Sequence, residues 1–384
     1  MTPAPAGSIE ATITYAEITQ QPTVWRELDT MITRRQDEIA PFVASLLARP
    51  DLRIVLSGAG TSAFVGEILA PALTRRLGRR VDAVATTDVV ADPYAVFAED
   101  VPTLLVSFAR SGDSPESVAT TEFAEQCLSE VHHLVITCNP AGRLARDHQA
   151  SGSSLVVLMP AASNDRGFAM TSSFTAMLLA TWRVLSGTPD GTPEDDGNDP
   201  VVITALADSA EALLADLTPY AAVAAGGYAR IVFLGSGSLA GLAHEAALKL
   251  LELTAGKVIS YFDTALGFRH GPKSVIDEQT LVIVYRSADP YTARYDEDIA
   301  AELRATTAAE VIMVSADPAH ASAGDWILDG AGGLADVPLA ALYAITAQLL
   351  GLHLSIALGC TPDNPFPTGE VNRVVQGVTV HPLV

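Results

Sequence analysis

A chain of 384 residues that is 49% apolar and 18% charged carries enough hydrophobic material for two packed domains and too much for a disordered chain. Its formal charge of −22, with no basic runs and no interleaving of basic with aromatic residues, speaks against nucleic acid and anionic membrane surfaces as partners, so an anionic ligand needs a strictly local site. Cys127, Cys138 and Cys360 are too few and too scattered for a disulfide framework or a zinc motif. A reducing cytoplasm is therefore expected, and no cofactor or metal. The N-terminus lacks a basic segment followed by an apolar core, so no signal peptide is expected either.

The opening is polar, with helices predicted over 24–32 and 37–47. From Arg53 strands and helices alternate: strands over 53–56, 81–85, 103–108, 133–137 and 155–158, helices over 62–77, 115–128 and 172–185. The stretch SGTPDGTPEDDGNDP, 186–200, is rich in Gly, Pro and acid and cannot bury a core, so it marks a boundary. After a helix over 202–215 the alternation resumes, with strands over 230–234, 258–261, 281–285, 311–314 and 326–328 and helices around 245–253 and 295–305. The apolar run 339–358 is long enough to span a bilayer but is broken by Gln348, His353 and Ser355, which favours a buried core helix. The two halves echo each other. RIVLSGAGTSA from Arg53 matches RIVFLGSGSLA from Arg230, and FARSGDSPE from Phe108 matches VYRSADPYT from Val284. The fold class is α/β, a mostly parallel doubly wound sheet flanked by helices and used twice. The expected segments are an N-terminal helical extension over 1–34, a first module over 35–190, a linker and helix over 191–214, and a second module over 215–384.

Two loops of the first half have anion-site chemistry. Gly58 to Ser62 follows a strand and opens a helix, so backbone N–H groups and the hydroxyls of Thr61 and Ser62 converge at a positive helix end. Ser107 to Ser114 ends another strand, and Pro115 suits the first turn of the next helix, so Ser111 and Ser114 flank its start. Ser114 read alone is more simply an N-cap. G-x-G-x-x-A at Gly58 and Gly235 would also suit a dinucleotide, with Asp88 as a ribose acid; two such turns in duplicated halves, plus the serine loop, fit a sugar phosphate better.

The stretch from His244 to Lys273 carries the remaining chemistry. Glu245, Lys249 and Glu252 stand at i, i+4 and i+7, within about 60° of one another on an otherwise apolar helix that ends near Gly256. A solvated face would place such a stripe outward; the surrounding Ala and Leu argue for a mostly buried helix whose charges face a cleft. His270 follows in FRHGPK, between glycine and proline punctuation, with a side chain suited to proton transfer near neutral pH.

Taken with SGAGTSAFVGE, SFARSGDSPES, CNPAGRLA, AMTSSFT, EAALKLLELTAG, LGFRHGPKS and VNRVVQGVTV, in that order, the chain resembles the sugar isomerase (SIS) domain family over roughly 35–384. Within it the chain is most similar to the galactosamine-6-phosphate deaminase/isomerase subfamily, also labelled tagatose-6-phosphate ketose/aldose isomerase. The resemblance to the isomerase part of glucosamine-6-phosphate synthase implies catalytic roles for Glu245, Lys249, Glu252 and His270. It implies phosphate contacts at Gly60, Thr61, Ser62, Ser111 and Ser114, and Thr171, Ser172, Arg110, Lys273 and Gln376 are further expected residues of the substrate site. It further implies a homodimer, or a higher homo-oligomer, in which His270 completes the neighbour's site. The chain departs from the synthase in having no N-terminal cysteine nucleophile and in carrying Gln376 where the synthase has a lysine. Arg110 and Lys273 are also not shared with it. The expected activity is conversion of an amino sugar 6-phosphate to ketose 6-phosphate and ammonia, D-galactosamine 6-phosphate and D-tagatose 6-phosphate being the expected pair. Plain aldose–ketose isomerisation and a non-catalytic sugar-phosphate sensor are the alternatives.

Overall fold

The computed structural model of the protein describes residues 8–149, 151–187, 200–375 and 377–383. Among the described residues ten strands form where the sequence places them: β1 (Arg53–Ser57), β2 (Val81–Ala83), β3 (Thr103–Ala109), β4 (Val131–Thr137), β5 (Ser154–Leu158), β6 (Arg230–Gly235), β7 (Ile259–Asp263), β8 (Thr280–Tyr285), β9 (Glu310–Ser315) and β10 (Trp326–Ile327). They make two five-stranded sheets, ordered β2-β1-β3-β4-β5 and β10-β9-β8-β6-β7, with every pairing parallel. Read from its own first strand, each sheet has the order 2-1-3-4-5. The repeat extends to register, since Arg53 opposes Thr103 in one sheet and Arg230 opposes Thr280 in the other. Central strands β3 and β8 are buried at every residue, as helices on both faces require. Edge strands β5 and β7 keep partly exposed positions.

The chain divides into two compact units. One comprises 24–165, 172–187 and 369–383 and holds β1–β5; the other comprises 8–23, 166–171 and 200–368 and holds β6–β10. Segments from each end of the chain are thus exchanged: part of the expected N-terminal extension packs with the second sheet, and the C-terminal tail with the first. The side chains explain both memberships. In the second unit Asp363 accepts from the backbone N–H groups of Ile13 and Thr14 and from Thr14 Oγ1, while Gln21 donates to Gln348 at 2.8 Å. In the first unit Arg110 donates to the carbonyl of Arg373, and Arg373 to that of Asp165.

The apolar run becomes the helix Asp336–Ala357, buried from Val337 to Leu352. The helices Ile13–Thr19, Thr86–Ala91, Pro93–Val96, Arg143–His148 and Thr218–Ala224 have no counterpart in the sequence reading. Each spans seven residues or fewer, too short for hydrophobic periodicity to stand out.

Candidate active site

In the first unit the turns after β1 and β3 lie side by side at the point where the strand order reverses, the position at which open parallel sheets bind ligands. The β1 turn needs glycine twice. A Cβ on Gly58 would sit 2.6 Å from the Ser62 backbone, and Gly60 adopts φ 53° as the residue preceding the helix Thr61–Leu77. Thr61 and Ser62 are buried at that helix start. In the β3 turn, Gly112 adopts φ 71° and the Ser111 hydroxyl accepts from the Asp113 N–H at 3.3 Å. Ser114 occupies the N-cap position of the helix Pro115–Cys127, yet its hydroxyl makes no capping bond and donates to Ser117 Oγ at 2.6 Å. The simple N-cap reading therefore does not describe it. Arg110, buried directly behind Ser111, adds local positive charge while holding the Arg373 carbonyl at 3.0 Å.

The equivalent turns of the second unit are filled by the chain's own acids. Ser236 donates to Asp296 at 2.6 Å and Ser287 to Asp336 at 2.7 Å; Asp289 caps the helix Pro290–Thr306 by accepting from Tyr291 and Thr292. Burial, reinforced by the nearby Asp336 charge, raises the Asp296 carboxyl to about 6 against the pull of its hydrogen bonds. Carboxylates standing where an anion would bind leave the neutral-donor loops of the first unit as the candidate phosphate site.

The second unit carries the charged helix Ser238–Leu253. Lys249 and Glu245 are each 1% exposed, the Lys249 ammonium lying 3.4 Å from Glu245 and 2.7 Å from Glu252. Glu252 keeps 22% of its side-chain surface open, so one carboxylate of the cluster is reachable. The helix end is a Schellman turn in which the Gly256 N–H reaches the Leu251 carbonyl, but the left-handed residue before it is Ala255, at φ 49°. Close packing fixes the helix: a Cβ on Gly351 of the long helix would meet Leu253 at 2.9 Å.

His270 sits at the tip of a loop pinned on both sides. Phe268 is fully buried among Val232, Val282, Val284 and Leu303. Arg269 and Lys273 both pair with Glu302 on the helix Pro290–Thr306, and these partners lower the Glu302 carboxyl below its ordinary range. His270 itself is exposed, and among the described residues no ion pair joins it to the Glu245–Lys249–Glu252 cluster. Thr171 and Ser172 are fully buried; Ser172 donates to Asp165, which also accepts from Ser173 and so caps the helix that follows. Gln376 lies outside the described residues.

Glu302, Asp296 and Asp336 escaped the sequence reading. Asp289-Pro290 against Ser114-Pro115 was the available signal, an acid at the cap where the first module has a serine.

The family model of the SIS domain matches residues 46–186 and 228–358, one match on each sheet, and the chain belongs to that family. D-galactosamine-6-phosphate deaminase AgaS of Escherichia coli O157:H7 is 44% identical over 384 residues, covering 98% of each chain. A Streptomyces coelicolor protein provisionally assigned the same activity is 56% identical over 376 residues, covering 96% of this chain and 95% of its own. The crystal structure of tagatose-6-phosphate ketose/aldose isomerase from Escherichia coli matches with a TM-score of 0.88 at 41% identity, covering 99% of both chains.

Proposed function

We propose that the protein is an amino sugar phosphate deaminase/isomerase that converts D-galactosamine 6-phosphate to D-tagatose 6-phosphate and ammonia in amino sugar catabolism. The observation that carries this reading is the Glu245–Lys249–Glu252 cluster, a buried ammonium between two carboxylates of which only Glu252 is accessible. The names of the full-length relatives point to the same reaction. Gly60, Thr61, Ser62, Ser111 and Ser114 hold the phosphate, with Arg110 supplying charge behind them. Thr171 and Ser172 act at one remove, shaping the helix start from within the core, and Lys273 anchors the His270 loop through Glu302.

His270 moves the protons that open the sugar ring. Glu252 then takes the proton from C2 of the open-chain aldose and delivers it to C1, the two carbons lying on one face of a cis-enediol-like intermediate. Positioned acid–base catalysis of this kind contributes about 10²–10⁴-fold. As O1 gains a proton and the amine nitrogen gives one up, the electron pairs shift so that C1 becomes a hydroxymethyl carbon and C2 an imine. Water adds to the imine and ammonia leaves, giving the ketose with no net oxidation. Gln376, in the place of the synthase lysine, has no amine for a Schiff base, so the imine is built on the substrate's own nitrogen.

We place the enzyme in the cytoplasm as a homodimer whose His270 serves the neighbouring subunit. The exposure of His270 supports this, as do the exposed apolar side chains of Leu251, Ile259, Tyr261 and Leu266 on nearby chain segments.

Isomerisation without loss of nitrogen is the second reading, favoured by the name of the Escherichia coli structural relative. Incubation with galactosamine 6-phosphate, glucosamine 6-phosphate and tagatose 6-phosphate, with ammonia and sugar phosphates assayed separately, distinguishes the two. Equal release of ammonia and ketose phosphate from galactosamine 6-phosphate is expected. Aldose–ketose interconversion of tagatose 6-phosphate with no ammonia from either amino sugar supports the second reading.

A further inference from the structure

In the first unit, away from the phosphate loops, three side chains that are well separated in sequence converge. They are Glu125 on the helix Pro115–Cys127, His133 on β4, and His148 at the end of the helix Arg143–His148. Their candidate ligand atoms all lie within 4.8 Å of one another. The two imidazole rings are 4.3 Å apart between centroids, and His133 Nε2 is 3.3 Å from a Glu125 oxygen. His133 is 1% exposed, and neither of its ring nitrogens has a hydrogen-bond partner. A buried imidazole whose nitrogens make no hydrogen bond, and whose Nε2 meets only the Glu125 carboxylate, calls for an explanation.

We propose that His133, His148 and Glu125 form a divalent transition-metal site, with zinc the preferred ion and solvent completing the coordination. Two imidazoles and a carboxylate suit zinc, whereas magnesium and calcium call for all-oxygen sites. Ligands bound at about 2.0–2.1 Å in a tetrahedron stand roughly 3.4 Å apart. The His133–Glu125 pair is already at that spacing, and the whole set, within 4.8 Å, must contract by little more than 1 Å to take up an ion, Glu125 doing so from the surface. Ser154 Oγ, 3.3 Å from His148 Nδ1, orients the second ring as an outer-shell partner does.

The site is a brace, not part of the reaction. The helix Pro115–Cys127 begins directly after Ser114, and the segment leading into the helix Arg143–His148 clasps the same serine loop. There Arg143 N–H donates to Asp113, Leu144 N–H to the Gly112 carbonyl, and the Asn139 side chain to the Ser111 carbonyl. The ion ties the far ends of both helices to β4. The sequence gives no hint of it, because the three ligands share no local motif.

The full-length protein, stripped with a chelator and dialysed, is titrated calorimetrically with Zn²⁺, and with Mg²⁺ as the hard-cation control. One Zn²⁺ per chain is expected, with a higher Tm and no response to Mg²⁺. His148→Gln and Glu125→Gln should each weaken Zn²⁺ binding at least tenfold, and Glu125→Gln, being a surface change, should leave the metal-free Tm as it is. Absence of stoichiometric Zn²⁺ binding overturns the proposal, as does binding that both variants retain undiminished.

Discussion

Lys249 and Glu252 differ in what their loss leaves behind. Lys249 lies between two carboxylates, and Glu245 is as buried as it is. Lys249→Met therefore strands negative charge in the core and should destabilise the protein by about 3–5 kcal/mol, read as a fall in urea midpoint. Glu252→Gln leaves the Lys249–Glu245 pair at 3.4 Å in place, so the fold should survive while turnover falls by at least about 10². The opposite ranking of the two variants in stability would make Glu252 a scaffold residue. Ser111→Ala and Ser114→Ala should raise KM more than they lower kcat, because a phosphate remote from the bond changes is held alike in ground and transition states. Wild-type KM in both variants would reduce these serines to loop structure.

Two elements of the second unit carry effects that can be measured without substrate. The turn that closes the charged helix holds Ala255 at φ 49°, a conformation that costs an L-residue about 1–2 kcal/mol and glycine little. Set against the greater chain entropy that glycine loses on folding, Ala255→Gly should stabilise by roughly 0.5–1 kcal/mol. A lower Tm would show that the Ala255 methyl group makes compensating contacts. Asp296, buried in the turn that answers the phosphate loop, holds its proton up to about 6, above the ordinary carboxylate value. A raised carboxyl favours the folded state below its unfolded pKa, and that advantage is lost as pH rises through about 6. Wild-type stability relative to Asp296→Asn should therefore decline between pH 5 and pH 7, and a flat difference would contradict the assignment. The duplication was legible because RIVLSGAG and RIVFLGSG preserve strand, turn and helix start in order. The divergence of the copies was not, since a carboxylate filling a crevice comes from Asp296 and Asp336, remote in sequence from Ser236 and Ser287. The charged stripe was readable from helical spacing, but which of its members stays accessible depends on packing that no periodicity encodes. Ser114 shows the same limit, looking like a cap in sequence and making no capping bond in the fold.

At the scale of the molecule, the exchange of end segments means that neither compact unit is a contiguous stretch of chain, so separately expressed halves cut at the acidic linker should fold poorly. The homodimer reading makes its own demand. If His270 serves the neighbour, mixing inactive Glu252→Gln and His270→Asn proteins after demonstrated subunit exchange should recover activity through sites that hold both residues; no recovery would return His270 to its own subunit. The central claim is that Glu252 shuttles the proton in a deaminating isomerisation. Its most direct test is galactosamine 6-phosphate turnover in D₂O by wild type and Glu252→Gln, with ammonia counted and the ketose phosphate examined by NMR. Wild type should release ammonia and tagatose 6-phosphate one to one, with deuterium entering at C1 because the proton held by Glu252 exchanges with solvent before delivery, and folded Glu252→Gln should do neither. Ammonia release and C1 labelling that persist in the variant, or a wild type that yields no ammonia, would contradict it.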